Sequence, residues 1–200
     1  MFIKTYRHRL GVRGEVIQLG GVLVALLLVC MGIPLWNLAA PGGAMTNFDQ
    51  WIMGPVVNTV LVIVGVNFRG WARVLSAVFL PSMVHVFNFL VFGIGTTFSL
   101  SMIPAIWLGN LAMVLTYKYF YSHKKVNFWF VSVMAVTFKV AIIASIFAIL
   151  AWGFNYFPPP VLEGMTPRMT INQVYVAAIG VVVGWLILRF VYPRGSAKIV

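Results

Sequence analysis

Acidic residues and cysteine are nearly absent from this chain. Its 200 residues include three Asp and Glu in total and a single cysteine, Cys30. One thiol excludes an internal disulfide and a cysteine-based metal site. The sequence also contains no pair of acids placed for acid–base catalysis and no HExxH, GxSxG or P-loop motif. We therefore expect neither a catalytic centre nor a metal site, and the residues indicate no particular cofactor.

Charged residues of either sign are also scarce. They make up 8% of the chain, whereas 62% is hydrophobic. A soluble domain carries about 25% charged residues, so this composition cannot build a solvated surface. The composition predicts an all-α polytopic membrane protein, with residues 1–200 forming a single transmembrane domain. The basic N-terminus precedes a long apolar segment without a clear signal-peptide cleavage site, and we expect that segment to be retained as a helix.

Six apolar stretches are each long enough to cross the ~30 Å hydrocarbon core of a bilayer as a helix. They are predicted over about residues 15–38, 51–68, 74–92, 100–121, 127–152 and 171–192. Pro81 is expected to kink the third helix because proline lacks a backbone N–H. The longest connection, residues 153–170, is predicted to be a loop stiffened by three consecutive prolines.

The basic residues indicate the orientation of these helices. An even number of spans places both termini on one side of the membrane. Only Arg168 would then lie on the opposite side, and twelve cations would lie on the side of the termini: Lys4, Arg7, Arg9, Arg13, Arg69, Arg73, Lys118, Lys124, Lys125, Arg189, Arg194 and Lys198. Because cytoplasmic loops carry the excess of Lys and Arg, both termini are predicted to be cytoplasmic.

Lys139 is the single charge in the apolar stretch from Asn127 to Trp152. It would lie ~18–20 Å of helix from either end, too far for its side chain to reach water. A lysine at that depth costs about 2.5–3.5 kcal/mol on insertion scales. We therefore expect Lys139 to face a protein interior or a polar cavity and to have a partner.

The one acid in a predicted span, Glu15, lies at its inner edge, so no acid lies at the depth of Lys139 and a partner inside this chain has to be neutral. The polar candidates in the spans are Asn58, His85, Asn88, Asn110 and Gln173. In one interpretation these side chains join helices, at ~0.6 kcal/mol each, and Lys139 is neutral or bonded to carbonyl groups. In the other, they and Lys139 line a ligand-binding cavity in which the lysine meets an anionic or strongly polar group.

Small residues at a spacing of four mark helix surfaces that can approach closely. Gly180 and Gly184 form such a pair in the last predicted helix, and Gly21 and Ala25 form one in the first. Pairs of this kind allow helix backbones to pack together in membranes. They are predicted to serve internal helix packing or the docking of a partner protein.

Several motifs recur in an order that resembles a known group of proteins. They are Gly54-Pro-Val-Val-Asn58, Leu108-Gly-Asn110, Phe138-Lys139 and the segment from Asn172 to Gly180. In this order and spacing, over about residues 51–188, the chain resembles small six-helix integral membrane proteins similar to the S components of energy-coupling factor transporters.

The resemblance implies a substrate-binding subunit that captures a vitamin, a metal ion or another small solute at a prokaryotic cytoplasmic membrane. Such subunits work with a membrane coupling protein and two cytosolic ATPases. Gly21 and Ala25 would correspond to the pair of small residues through which the first helix contacts the coupling protein. The alternative hypothesis is a non-catalytic structural or assembly subunit of a larger membrane complex, in which Lys139 meets a partner's carboxylate or a cofactor. Neither hypothesis involves nucleic acid.

Overall fold

A computed structural model of the protein describes residues 48–67, 71–92 and 97–190, together with Gly20 and Val24. Within these ranges the chain is helical and forms no β-strand. The all-α prediction is therefore confirmed for this part of the chain. Apart from Gly20 and Val24, the first predicted helix over residues 15–38 lies outside the described ranges.

The helices follow one another with short connections. α1 spans Phe48–Asn67, α2 spans Trp71–Phe92 and the short α3 spans Thr97–Ser101. α4 spans Ile103–Thr116 and continues as a π-helix through Tyr117–His123. α5 spans Phe128–Ala148 and continues as a π-helix through Ile149–Gly153. They are followed by α6, Pro159–Met169, and α7, Ile171–Phe190.

Local sequence signals explain where three of these helices begin. The side-chain oxygen of Asn127 accepts a hydrogen bond of 2.9 Å from the backbone N–H of Trp129, which caps the start of α5. Pro104 stands in the first turn of α4, and α6 begins with Pro159 and Pro160. Proline is well tolerated there because the first N–H groups of a helix have no intrahelical partner.

The prediction of a loop over residues 153–170 is wrong for its second half, which forms α6. The proline run marks the start of a helix, since its fixed backbone angle suits the first helical turn. Burial of Met165 then holds α6 on the bundle. Met165 belongs to the same hydrophobic cluster as Phe147 and Phe157, whose rings stack with centroids 5.4 Å apart.

Besides α6, which contains Pro167, two of the described helices, α1 and α2, contain an internal proline and continue through it. Pro55 lies within α1 and Pro81 within α2. Each removes the N–H that would otherwise donate to the carbonyl oxygen four residues earlier, at Trp51 and Ala77. The loss of one hydrogen bond does not end either helix, so Pro81 does not divide α2.

α1 and α7 pack closely and run parallel. Gly54 lies against Val176, Gly180 against Asn58, and Gly184 against Val62, so the contact advances four residues at a time along both helices. Glycine at these positions lets the two backbones approach. The sequence-predicted pair Gly180 and Gly184 thus lies in the α1–α7 contact.

α4 packs antiparallel to α5 and parallel to α1. Gly109 lies against Ile143, whereas Tyr117, further along α4, donates a hydrogen bond of 2.7 Å to Ser132, an earlier residue of α5. Gly65, near the end of α1, lies against Tyr117. The last turns of α1, α4 and α7 therefore meet the start of α5. We call this the basic end, since it carries Lys118, Lys124, Lys125 and Arg189, and we call the opposite end, with α6, the proline-rich end.

Two hydrophobic clusters fill the bundle, one toward each end. The cluster at the basic end includes Val62, Val131 and Ala135, and the cluster at the proline-rich end includes Ile143 and Phe147. On α5, Ala135 lies one turn before Lys139 and Ile143 lies one turn after it. Lys139 therefore lies at the boundary between the two clusters.

The described helices expose many large apolar side chains in addition to their buried hydrophobic clusters. Large apolar side chains such as Phe130, Val133, Trp152 and Phe190 are more than half exposed, whereas Lys139 is buried. Two helical segments, Phe128–Gly153 and Pro159–Phe190, are long and apolar enough to cross a membrane. Only 22% and 28% of their apolar windows are buried, whereas the core helix of a soluble protein is mostly buried.

We expect Gly180→Ala to destabilise the protein, because an added Cβ would overlap the Cβ of Asn58 and lie 2.8 Å from the carbonyl oxygen of Pro55. Overpacking of this kind costs about 1–3 kcal/mol. Thermal unfolding in detergent should show a melting temperature several degrees lower. Gly164→Ala is the matched control, since nothing lies within 4 Å of a Cβ there. Equal melting temperatures for the two variants would contradict the close α1–α7 contact.

Candidate ligand-binding site

The amine of Lys139 is buried and bonded to an amide on another helix. Its Nζ donates a hydrogen bond of 2.6 Å to Oδ1 of Asn58. Lys139 is 3% exposed and Asn58 is 1% exposed. Both residues lie near the middle of their helices, α5 and α1. The structure thus brings together two of the residues that the sequence selected, and the partner is neutral.

A second hydrogen bond fixes the orientation of the Asn58 amide. Its Nδ2 donates to the backbone oxygen of Gly54, one turn earlier in α1, at 2.7 Å. Because the two ends of an amide group differ in chemistry, satisfying Nδ2 on its own helix turns the acceptor Oδ1 outward to Lys139. The spacing in Gly54-Pro-Val-Val-Asn58 is the four-residue spacing that this bond requires.

Two glycines hold the pair from either side. A Cβ at Gly180 of α7 would overlap Asn58, and a Cβ at Gly109 of α4 would lie 3.0 Å from the backbone oxygen of Lys139. Thr59, next to Asn58, donates to the backbone oxygen of Gly180 at 3.2 Å. Asn58, Gly109, Lys139 and Gly180 therefore form one layer across four helices, which we call the central layer.

The hydrogen bond from Lys139 to Asn58 directly links α1 and α5. Among the described helices, α1 contacts α7 closely and α5 contacts α4 closely, but α1 and α5 make few direct backbone contacts. A lysine side chain is long enough to cross such a gap, whereas a short polar residue is not. The hydrogen bond to Asn58 thus connects the α1–α7 pair to the α4–α5 pair.

The magnitudes explain why Lys139 is tolerated in this layer. A lysine at the centre of a membrane helix costs about 2.5–3.5 kcal/mol on insertion scales. A hydrogen bond involving a charged group contributes about 1.5–3 kcal/mol. The bond to Asn58 therefore offsets much of the cost, but an amide oxygen supplies no opposite charge.

α4 carries a further polar candidate next to this layer. Asn110 follows Gly109 and is 1% exposed, and its Oδ1 has no hydrogen-bond partner within the described part of the chain. The indole Nε1 of Trp107, one turn earlier, is also buried and unpaired there. Asn110 was selected from the sequence as a polar residue in a span. Trp107 was not, because a tryptophan in an apolar run gives no sign of an unpaired N–H.

The remaining sequence-predicted residues are not brought into the central layer by the described contacts. Gln173 is two turns before Gly180, and its Nε2 donates to the backbone oxygen of Arg168 at 3.1 Å, joining α6 to α7. His85 and Asn88 lie on α2, with side chains outside the described part of the structure. Gly21 and Ala25 also lie outside it.

The sequence did not predict a second set of buried hydrogen bonds, which lies toward the basic end. Tyr117 is fully buried and donates to Ser132, whose hydroxyl donates in turn to the backbone oxygen of Phe128 at 2.8 Å. Ser132 lies on the buried face of α5 with Lys139. The face could be foreseen from the helical spacing, but the pairing with Tyr117 depends on how α4 lies against α5.

The motifs that carry the sequence resemblance converge on the central layer. Asn58 comes from the Gly-Pro-Val-Val-Asn motif, Gly109 from Leu-Gly-Asn, and Gly180 from the last helix, and all three adjoin Lys139 or its partner. No family model, curated protein or solved structure matches the chain. The interpretation of the site therefore depends on its own geometry.

We expect the Lys139–Asn58 pair to be strongly coupled in stability. Lys139→Met leaves the buried Oδ1 of Asn58 unpaired, and Asn58→Leu leaves a buried amine without its acceptor, so each single change should lower the melting temperature by several degrees. The double variant replaces both groups by apolar ones and should unfold close to the wild-type temperature.

Thermal unfolding in detergent measures this cycle, with Lys124→Met as a control at an exposed lysine of the basic end. The control should unfold like the wild type. A double variant that is destabilised by the sum of the two single changes would show that the two side chains do not depend on each other.

Proposed function

We propose that the chain is the substrate-binding membrane subunit of a micronutrient uptake transporter of the energy-coupling factor type. It would bind a vitamin, metal ion or other small solute and work with a coupling protein and cytosolic ATPases. In this proposal six helices span a prokaryotic cytoplasmic membrane, and both termini lie in the cytoplasm.

The helix directions support the proposed topology. α1, α4 and α7 would be the second, fourth and sixth spans, and α5 would be the fifth. Consecutive spans alternate in direction, so the second, fourth and sixth should be parallel to one another and antiparallel to the fifth, as the glycine contacts and the Tyr117–Ser132 bond require. The cations collect at one end of this arrangement, which the positive-inside rule assigns to the cytoplasm.

The observation that carries the binding proposal is the buried amine of Lys139 with a neutral partner. Ionisable residues inside membrane proteins are rare and mark substrate and ion pathways, proton relays or ligand counter-ions. Since Asn58 offers no negative charge, a ligand with an anionic or strongly polar group would gain from reaching this layer. The unpaired Oδ1 of Asn110 beside it supports a ligand role for the same region.

A different observation favours the second candidate, a structural or assembly subunit of a larger membrane complex. The amine already has a hydrogen-bond partner, and Gly109 and Gly180 pack tightly around the pair. The central layer could therefore serve only to join helices. In that case the exposed aromatic residues of α5 and α7, among them Phe130, Trp152 and Phe190, would meet partner helices or lipid.

The topology can be tested with single cysteines placed at the two ends of the bundle. In a Cys30→Ser background, Lys124→Cys at the basic end and Glu163→Cys in α6 are both exposed positions. We expect a membrane-impermeant maleimide to label Glu163→Cys in intact cells and Lys124→Cys only in inverted vesicles. Labelling of both positions from the same side would contradict the proposed topology.

The function can be tested by mild purification of the tagged protein, followed by mass spectrometry of bound proteins and small molecules. We expect a coupling protein, an ATPase pair and a small solute. The Lys139→Met/Asn58→Leu variant should keep the protein partners and lose the solute, since its fold is expected to be retained while the amine is absent.

Two results would oppose the transport proposal. Retention of the same solute by the double variant would exclude Lys139 from binding it. Constant association with other membrane subunits, without an ATPase pair or a solute, would favour the structural or assembly role.

A further inference from the structure

Two buried polar atoms on α4 lack hydrogen-bond partners in the described part of the chain, Nε1 of Trp107 and Oδ1 of Asn110. The indole N–H can only donate, and the amide oxygen can only accept. Most buried polar atoms in proteins are hydrogen-bonded, and an unpaired one is expensive because it has lost water without gaining a partner. Two such atoms within one helical turn call for a common explanation.

The helix geometry places the two side chains on one face. Residues three apart are neighbours on a helix surface, and Cα–Cβ bonds tilt toward the helix N-terminus, so Asn110 leans over the turn that carries Trp107. The indole ring packs edge-on against Phe79 of α2, with ring centroids 4.7 Å apart. Trp107 and Asn110 are not bonded to each other, although one is a donor and the other an acceptor.

We infer that a single hydroxyl group binds between Trp107 and Asn110, where α4 packs on α2. Its oxygen accepts the hydrogen bond from the indole N–H, and its hydrogen is donated to the amide oxygen. An anion could pair with Trp107 but has no hydrogen for Asn110, and an ammonium group could pair with Asn110 but has no acceptor for Trp107. A hydroxyl group does both.

This hydroxyl group belongs either to a bound water molecule or to a neutral organic solute. For a solute, the rings of Trp107 and Phe79 offer an apolar surface beside the polar contact. The solute alternative rests on the proposed function, whereas the bridging hydroxyl itself does not.

A thermal double-mutant cycle of Trp107→Phe and Asn110→Leu tests the bridge. If one hydroxyl joins the two side chains, either change removes it, so each should lower the melting temperature by about 2–4 °C. The double variant should be no less stable than the worse single one, because the bridge is lost only once. Trp185→Phe combined with Asn110→Leu is the matched control, and its shifts should add, since Trp185 packs on Trp129 of α5 instead.

A rise in melting temperature for Asn110→Leu, together with additive shifts in the Trp107 cycle, would overturn the inference. That result would mean that the buried Asn110 amide has no hydrogen-bond partner, so that an apolar side chain at this position removes its desolvation cost.

Native mass spectrometry of the same samples separates the two sources of the hydroxyl. A hydroxyl-bearing molecule present on the wild type and absent from Asn110→Leu identifies a solute. Coupling in the thermal cycle without any such molecule identifies a water bridge; it excludes the solute alternative at this position and leaves the transport proposal, which rests on Lys139, to its own test.

Discussion

The fold depends on accommodating one amine in an apolar bundle. Lys139 lies too deep in α5 to reach either end, so its cost has to be met inside the protein. The bond to Asn58 offsets much of this cost, and that bond needs the amide turned by Gly54 and the backbones brought close by Gly180 and Gly109. A substitution at Gly109 or Gly180 would therefore weaken the Lys139–Asn58 hydrogen bond without changing either of its two side chains.

The same interaction explains how the helices are joined. α1 with α7 and α4 with α5 are close pairs that small residues allow, and α1 also packs directly on α4. The hydrophobic clusters toward the two ends contribute non-directional burial, which does not by itself fix which residues face each other. The hydrogen bond at their boundary fixes which residues face each other, because it forms only when Lys139 and Asn58 lie at the same level in the bundle. It therefore specifies the arrangement of the helices as well as stabilising it.

The burial of residues follows from the sequence more directly than their pairing does. Helical spacing puts Ser132 and Ala135 on the same face of α5 as Lys139, and all three are buried. It also selected Asn58, but among five polar candidates that it could not rank, since the rotation of one helix against another is set by packing. Gln173 shows the limit: it lies in a predicted span, yet its amide serves the connection between α6 and α7. The prediction of a loop over residues 153–170 failed because proline, which disrupts the interior of a helix, is also common in its first turn.

The choice of an amide over a carboxylate as the partner of Lys139 bears on both candidate functions. An aspartate at position 58 would complete an ion pair and leave the layer with nothing further to attract. Asparagine accepts one N–H bond and leaves the amine without an opposite charge, so under the transport proposal an anionic group of the ligand would pair with the amine in this layer. Gly109 and Gly180 close the layer toward α4 and α7, since even a methyl group does not fit there. In the described part of the chain, the unpaired buried polar atoms nearest in sequence to this layer lie on α4, at Nε1 of Trp107 and Oδ1 of Asn110.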